Sequence, residues 1–283
     1  MRWHWLSGDF VRAFRACRGE HDWVEAYTRL YLEPHLDTLT QMHFVPKGYP
    51  EVEAAIARLR QLGRQRYRTM VEALERRPDV AEVLPSTVAG LMAMLHAPLP
   101  DIPLHVIVGL DCTNIYSVAR NGETATVLCL EAVDANRDGL RLLLAHEAHH
   151  WAREAVWGPD ILTATVGERL ATEGLAITFS RRACPGLAPW EYCFVPEATF
   201  RWVQAHQAEW YALVKPRLSD GTLMDALFAR TPRLLPLPLP GMPARTGYVY
   251  GCLAAEAALR RRGGDFGVSL PWREVLVPGV RGG

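Results

Sequence analysis

The sequence lacks several features that would assign it to a specialised class of protein. It has no excess of charge, because 31 Lys and Arg residues balance 31 Asp and Glu residues. This balance gives no support for general binding to nucleic acid or to anionic membranes. No stretch reaches the roughly 18 apolar residues of a membrane span. The first residues contain neither a continuous apolar segment nor a cleavage site, so we expect no signal peptide and a cytoplasmic location.

The six cysteines also lack a recognisable pattern. They form no C-x-x-C pair and lie mostly among apolar neighbours, so we expect buried free thiols in a reducing cytoplasm. A cysteine nucleophile is the alternative, but a complete metal-binding motif elsewhere already accounts for the chemistry. The composition, 49% apolar and 22% charged, is typical of a soluble globular protein.

The order of patterns along the chain predicts an α+β fold that is mostly helical. Helical spacing of apolar residues covers 22–43, 51–77 and 79–96, and the aromatic residues of this region are expected in the core. After Pro98 the character changes to short β-rich runs, 104–109 and 124–131, with a hairpin signal at Asn121-Gly122. We therefore predict a helical region over 1–98 packed on a second domain over 99–283, with a small antiparallel or mixed sheet.

Later segments are predicted to be helical again. Helical patterns cover 160–181, 189–215, 219–230 and a final helix at 247–262. Residues 231–244 contain five prolines, which cannot continue a helix and favour an extended segment that could wall a cleft.

One short motif carries the most chemical information. His146-Glu147-Ala148-His149-His150 has the form H-E-x-x-H, and its surroundings predict a helix over about 137–156, started by Asn136 or Asp138. Residues four apart share one face of a helix, so His146 and His150 can bind one metal ion. Glu147 can reach a water bound to that metal. Two imidazoles and a carboxylate suit Zn²⁺ in a hydrolase.

A catalytic zinc site needs a third protein ligand. No histidine or aspartate follows His150 at the short spacing of metzincins, but the next helical segment contains Glu168 and Glu173. Glu173 falls on the apolar stripe of that segment, and a carboxylate facing the core needs a partner that zinc would supply. Gly174 allows another backbone to approach. Glu168 lies off the stripe and fits a solvated or ligand-supporting role. We therefore favour Glu173.

These residues also carry a family resemblance. The motif followed by Thr172-Glu173-Gly174-Leu175-Ala176 resembles the gluzincin pattern, in which a glutamate on a second helix completes the zinc site. With Gly247-Tyr248-Val249-Tyr250-Gly251, the motifs resemble a bacterial family of predicted zinc-dependent proteases over roughly residues 100–262. The resemblance implies a zincin-like domain with His146, His150 and Glu173 as ligands and Glu147 as the catalytic carboxylate. The sequence lacks a G-x-M-E-N-like segment, which argues against an aminopeptidase.

The remaining catalytic role is stabilisation of an oxyanion. Gluzincins commonly use a tyrosine or a histidine, and Tyr248 is the candidate, with Tyr250 and Arg245 as alternates. Packing in the core is the competing interpretation for Tyr248. His149 points about 100° away from His150 on a helix and is expected to pack or to contact substrate. The strand at 124–131 is the candidate edge against which an extended peptide could lie, as the zincin resemblance implies.

Together these patterns predict a zinc-dependent endo- or oligopeptidase with Glu147 as general base. Its partner would be a peptide or protein substrate. Two alternatives remain: a non-catalytic protein that uses zinc for stability or peptide binding, and a zinc hydrolase of a non-peptide amide. The sequence does not indicate the oligomeric state or the substrate.

Overall fold

The computed structural model describes residues 1–76, 80–120, 123–132, 137–233, 237–263 and 266–276. The chain is mostly helical with one small mixed sheet, which confirms the α+β class. It divides into two compact units, residues 1–87 with 99–140 and residues 88–98 with 141–283. The predicted boundary between residues 98 and 99 stays a prediction. Within the described ranges, no helix combines the length and apolar character needed to cross a bilayer.

The first unit contains the four-stranded sheet. Its strands are β1 (Arg2–Trp5), β2 (Pro103–Ile107), β3 (Ile115–Arg120) and β4 (Glu123–Cys129), in the order β1-β2-β4-β3. β3 and β4 pair antiparallel, with Arg120 opposite Glu123, as the hairpin signal predicted; the turn residues Asn121 and Gly122 lie outside the described residues. β1 was missed by the sequence analysis, although Arg2–Trp5 alternates polar and aromatic residues.

The prediction that the strand at 124–131 is an exposed edge is wrong. β4 is paired on both sides, parallel to β2 and antiparallel to β3, so its backbone groups are already used in the sheet. Residues 130 and 131 leave the strand and form a 3₁₀ turn. The described edge strands are β1 and β3. A peptide therefore cannot add to β4 without displacing a strand.

Six α-helices of the described part of the chain lie between β1 and β2 in the sequence. They are α1 (Ser7–Ala16), α2 (Trp23–Tyr27), α3 (Leu36–Leu39), α4 (Val52–Leu62), α5 (Arg68–Glu75) and α6 (Val80–Met94), with 3₁₀ and π turns between Glu20 and Lys47. The predicted helix over 51–77 is broken at Gly63, which adopts φ 67°. The expected aromatic core is confirmed, since Trp23, Tyr27, Tyr31, Phe44 and Tyr67 are all at most 1% exposed.

The second unit is helical. It contains most of α7 (Arg137–Trp157), then α8 (Val166–Ala183), α9 (Pro189–Tyr192), α10 (Glu197–Ala205), α11 (Gln207–Val214), α12 (Met224–Phe228), α13 (Thr246–Arg262) and α14 (Trp272–Leu276). α7 and α13 match the predicted helices to within one residue. The predicted caps of α7, Asn136 and the side chain of Asp138, lie outside the described part of the chain.

Other boundaries differ from the prediction for local reasons. α8 begins six residues after Asp160, because the Thr165 side chain accepts a hydrogen bond from the Glu168 backbone and caps the helix. The predicted helix over 189–215 is interrupted at residues 193–196, where Phe194 has φ 53°. Residues 231–244 contain no helix or strand where they are described; 234–236 lie outside the description, and their polyproline conformation stays a prediction.

Glycines bring α8 and α13 into backbone contact. A Cβ atom on Gly174 would lie 2.0 Å from the carbonyl oxygen of Gly251, and a Cβ atom on Gly251 would lie 2.3 Å from that of Leu170. Only hydrogen atoms fit at these positions, so the expected close approach at Gly174 is confirmed. Because Glu173 and Tyr248 flank this contact in sequence, it places α13 beside the helix that carries Glu173.

All six cysteines are free, but the expectation that they are buried holds for only four of them. Cys17, Cys129, Cys193 and Cys252 are buried, Cys184 is half-buried and Cys112 is exposed.

Candidate metal centre

Three side chains from two helices converge in the second unit. His146 and His150 lie one turn apart on α7, and Glu173 lies on α8. The His146 Nε2 atom is 2.9 Å from His150 Nε2 and 3.1 Å from Glu173 Oε2, and His150 Nε2 is 3.4 Å from the same oxygen. Each of the three residues is at most 5% exposed. Three lone-pair donors therefore meet in a buried space, which requires a shared cation or proton.

The geometry of these atoms fits a zinc ion. Nitrogen and oxygen ligands about 2.0–2.1 Å from a tetrahedral zinc lie about 3.3 Å from one another. The three distances between the donor atoms of His146, His150 and Glu173, 2.9–3.4 Å, bracket that separation. The donor set of two imidazoles and one carboxylate is also one that zinc prefers.

The ionisation of the cluster follows from these contacts. Burial acts to raise the pKa of Glu173, but hydrogen bonds to His146 and His150 outweigh it and hold the pKa well below its usual range. Burial acts to lower the pKa of His150, and the Glu173 carboxylate reverses the effect, so the net pKa is raised. Glu173 is thus a carboxylate anion, the form that binds a metal.

Glu147 lies beside the same group but is less enclosed. Ligand atoms of His146, Glu147 and His150 all lie within 4.8 Å of one another, whereas Glu173 is in direct contact with both imidazoles. Burial raises the pKa of Glu147, although the two histidines oppose the rise. Glu154, one turn beyond His150, also has its pKa raised by burial, to about 7. The helix face that carries the histidines therefore carries two carboxyl groups that are more easily protonated than usual.

Glu168 lies in different surroundings. Its nearest charged partner is Arg153, with Arg153 Nη2 3.7 Å from Glu168 Oε2. Arg153 is completely buried on α7 and donates hydrogen bonds to Thr172 Oγ1 and to the carbonyls of residues 267, 268 and 270. Burial lowers the pKa of Arg153 to about 10. This network joins α7 to the residue immediately before Glu173, and the sequence analysis missed Arg153.

His149 points away from the cluster. It is fully buried, and its Nε2 lies 3.0 Å from the carbonyl oxygen of Phe266. Burial lowers its pKa well below the usual value, so the ring is neutral and donates this hydrogen bond. The expectation that His149 packs is consistent with these contacts.

Tyr248 is half-buried and packs edge-on against Phe228, with ring centroids 5.4 Å apart, whereas Tyr250 lies in an aromatic stack. Burial and the negative charge of Glu173 raise the pKa of Tyr248, so its hydroxyl is protonated at neutral pH. The Arg245 guanidinium covers the Tyr248 ring at 4.6 Å. Tyr250 stacks on Trp210 with ring centroids 4.1 Å apart.

Two further residues at the centre were not expected from sequence. The Phe194 ring packs edge-on against His146, with centroids 5.5 Å apart. Arg169 Nε lies 3.6 Å from Glu173 Oε1, the oxygen that does not contact the histidines. The signal for Arg169 was present in the sequence, because it precedes Glu173 by one helical turn.

Comparison with known proteins identifies the family. Residues 115–269 match the family described as "Predicted Zn-dependent protease (DUF2268)". The match covers more than half of the chain, and the chain belongs to this family, whose description names zinc as the cofactor. No curated protein and no solved structure matches the chain.

Proposed function

We propose that this protein is a zinc peptidase of the gluzincin type, in which His146, His150 and Glu173 hold the metal and Glu147 is the general base. The observation that carries the proposal is the convergence of the three donor atoms at 2.9–3.4 Å inside the protein. A purely structural zinc site has four protein ligands, so it would need a further buried donor atom in contact with His146, His150 and Glu173. Glu147 stands close enough to serve a water instead.

The choice of Glu173 over Glu168 rests on their partners. Glu173 contacts both histidines, whereas the described ion pair of Glu168 is with the buried Arg153. A change of ligand to Glu168 would leave the Arg153 charge buried without its counterion, which is costly. With Glu173 as the ligand, Arg153 and Thr172 position the helix that carries it and do not bind the metal.

Zinc, when bound, supplies a Lewis acid that polarises the scissile carbonyl and makes a bound water more acidic. Glu147 would accept a proton from the attacking water and pass it to the nitrogen of the leaving amine as the peptide C–N bond breaks. Burial raises the pKa of Glu147, which is the direction that favours a general acid–base group at neutral pH. The Tyr248 hydroxyl, whose pKa is raised by burial and by the charge of Glu173, is the proposed donor to the oxyanion, with Arg245 and Tyr250 as alternates. Endo- or oligopeptidase action, peptide or protein substrates and a cytoplasmic location are parts of the same proposal.

The test is cleavage of a peptide library by matched, zinc-loaded proteins. Wild type and Glu209→Gln, which alters an exposed carboxylate on α11, should cleave the library at equal rates. Glu147→Gln should bind zinc normally and lose at least about a hundredfold in rate, as general acid–base groups contribute. Equal cleavage by Glu147→Gln and wild type would remove Glu147 from the mechanism. Zinc binding without any cleavage by wild type would refute peptidase action and favour the non-catalytic alternative.

A further inference from the structure

Arg245, the residue that precedes α13, has an unusual backbone conformation. Its φ is 64°, and its Nη1 donates a 2.7 Å hydrogen bond to the carbonyl of Phe194, whose φ is 53°. Left-handed conformations are unfavourable for non-glycine residues and persist where the surrounding structure enforces them, often at functional sites. Among the described residues, only four non-glycine residues have positive φ. Two of these four, Phe194 and Arg245, are joined by this hydrogen bond.

Contacts between side chains join Arg245 to the candidate metal centre. The Phe194 ring packs on His146, and the Arg245 guanidinium covers the ring of Tyr248. Tyr248 packs edge-on against Phe228 at 5.4 Å, and Arg169, the ion-pair partner of Glu173, covers the Phe228 ring at 4.7 Å. The strained pair therefore holds a guanidinium group one side chain away from the proposed metal ligand His146.

Within the described residues no carboxylate lies within ion-pair distance of Arg245, whereas Arg153 faces Glu168 and Arg169 faces Glu173. Arg245 is half-buried, so water screens its charge only in part. A divalent metal would share the charge of Glu173 and so would also leave Arg169 less neutralised. Arg169 and Arg245 would then each keep positive charge that no described carboxylate fully balances.

We propose that Arg245, supported by Arg169, forms a carboxylate-binding subsite beside the metal centre. The planar guanidinium offers several N–H donors in an arrangement that matches a carboxylate, and its contact with Tyr248 fixes its orientation. The substrate of the proposed peptidase therefore carries a carboxylate close to the scissile bond, either the C-terminal carboxylate or an Asp or Glu side chain. This inference rests on the proposed function for its choice of substrate, but not for the binding of a carboxylate.

Binding is tested first, without catalysis. Zinc-loaded protein is titrated calorimetrically with N-acetyl-alanine and with N-acetyl-alaninamide, which differ only in the carboxylate. Wild type should bind the acid at least tenfold more tightly than the amide, and Arg245→Gln should lose that preference. Arg273→Gln is the matched control, because its guanidinium covers Trp272 at a similar 4.5 Å, and it should behave as wild type. The subsite is refuted if acid and amide bind alike, or if Arg245→Gln keeps the preference.

Cleavage assays then distinguish the two sources of carboxylate. One peptide library is prepared with free and with amidated C-termini, and a second amidated library with and without Asp and Glu. In one of the two pairs, wild type should cleave the peptides that carry the carboxylate at least tenfold faster than their partners. Arg245→Gln should bring that ratio of rates towards one, and the change should appear in KM. Equal rates within both pairs would overturn the substrate class while leaving peptidase action intact. Selective acid binding without any cleavage would support the subsite and refute the proposed function.

Discussion

Replacement of Gly174 by alanine should separate α8, the helix that carries Glu173, from α13. The new Cβ would lie 2.0 Å from the Gly251 carbonyl oxygen, 2.2 Å from its carbon and 2.9 Å from the Cys252 nitrogen. All three are backbone atoms, so no side-chain rotation relieves the overlap, and α8 and α13 must move apart by about 1 Å. Overpacking of a rigid core costs about 1–3 kcal/mol and occasionally more. We expect a loss of at least about 3 kcal/mol because both partners are backbone.

The assay is urea denaturation followed by tryptophan fluorescence, with zinc removed so that metal binding does not contribute. Gly90→Ala is the control: Gly90 is an exposed glycine within α6, and a Cβ there would have nothing within 4 Å. The control should be stabilised by up to about 1 kcal/mol, the difference between glycine and alanine in a helix. If Gly174→Ala were as stable as wild type, the close helix contact would be refuted. Because Glu173 is the adjacent residue, Gly174→Ala should also bind zinc at least tenfold more weakly.

Three further results are expected. Burial raises the pKa of Glu131 from 4.5 to about 7, so the stability that its protonated form contributes is present below pH 4.5 and is lost as the pH rises through 7. When the free energy of unfolding is measured against pH, wild type should lose about 3 kcal/mol over this range and Glu131→Gln should not. Parallel pH curves for the two proteins would contradict this prediction. Arg153→Met should lower the free energy of unfolding by about 3 kcal/mol or more, because buried carbonyls lose their donors; a loss below 1 kcal/mol would be inconsistent with the network. Thr165→Ala should cost about 1 kcal/mol in the same assay through the lost cap of α8, and no loss would mean that the cap is unimportant.

Local patterns were enough to predict part of this structure. α7 and α13 were predicted nearly to the residue, because each has a continuous run of helix-forming residues and a clear stop. The burial of Glu173 was predicted from its place on an apolar stripe and is confirmed at 4% exposed. α8 is, however, buried on all sides from Leu170 to Ser180. The contacts of Glu173, more than its stripe position, distinguish it from Glu168.

Long-range pairing could not be read from the sequence. β4 was predicted to be an edge strand because nothing local reveals that β2 pairs with it from the other side. Arg153 and Phe194 were missed for the same reason: their partners lie 19 or more residues away in sequence. The role of Arg245 depends on a backbone conformation and on a contact with Phe194 that no periodicity encodes.

The most direct test of the account is the zinc affinity of four proteins purified in parallel. Wild type should bind one zinc ion per chain, measured by equilibrium dialysis and elemental analysis, and Glu168→Gln should bind it within about threefold of wild type. His146→Ala and Glu173→Ala should each lose at least about a hundredfold, since each removes a ligand from a three-residue site. Wild type without stoichiometric zinc, or Glu173→Ala with wild-type affinity, would contradict the three-ligand centre.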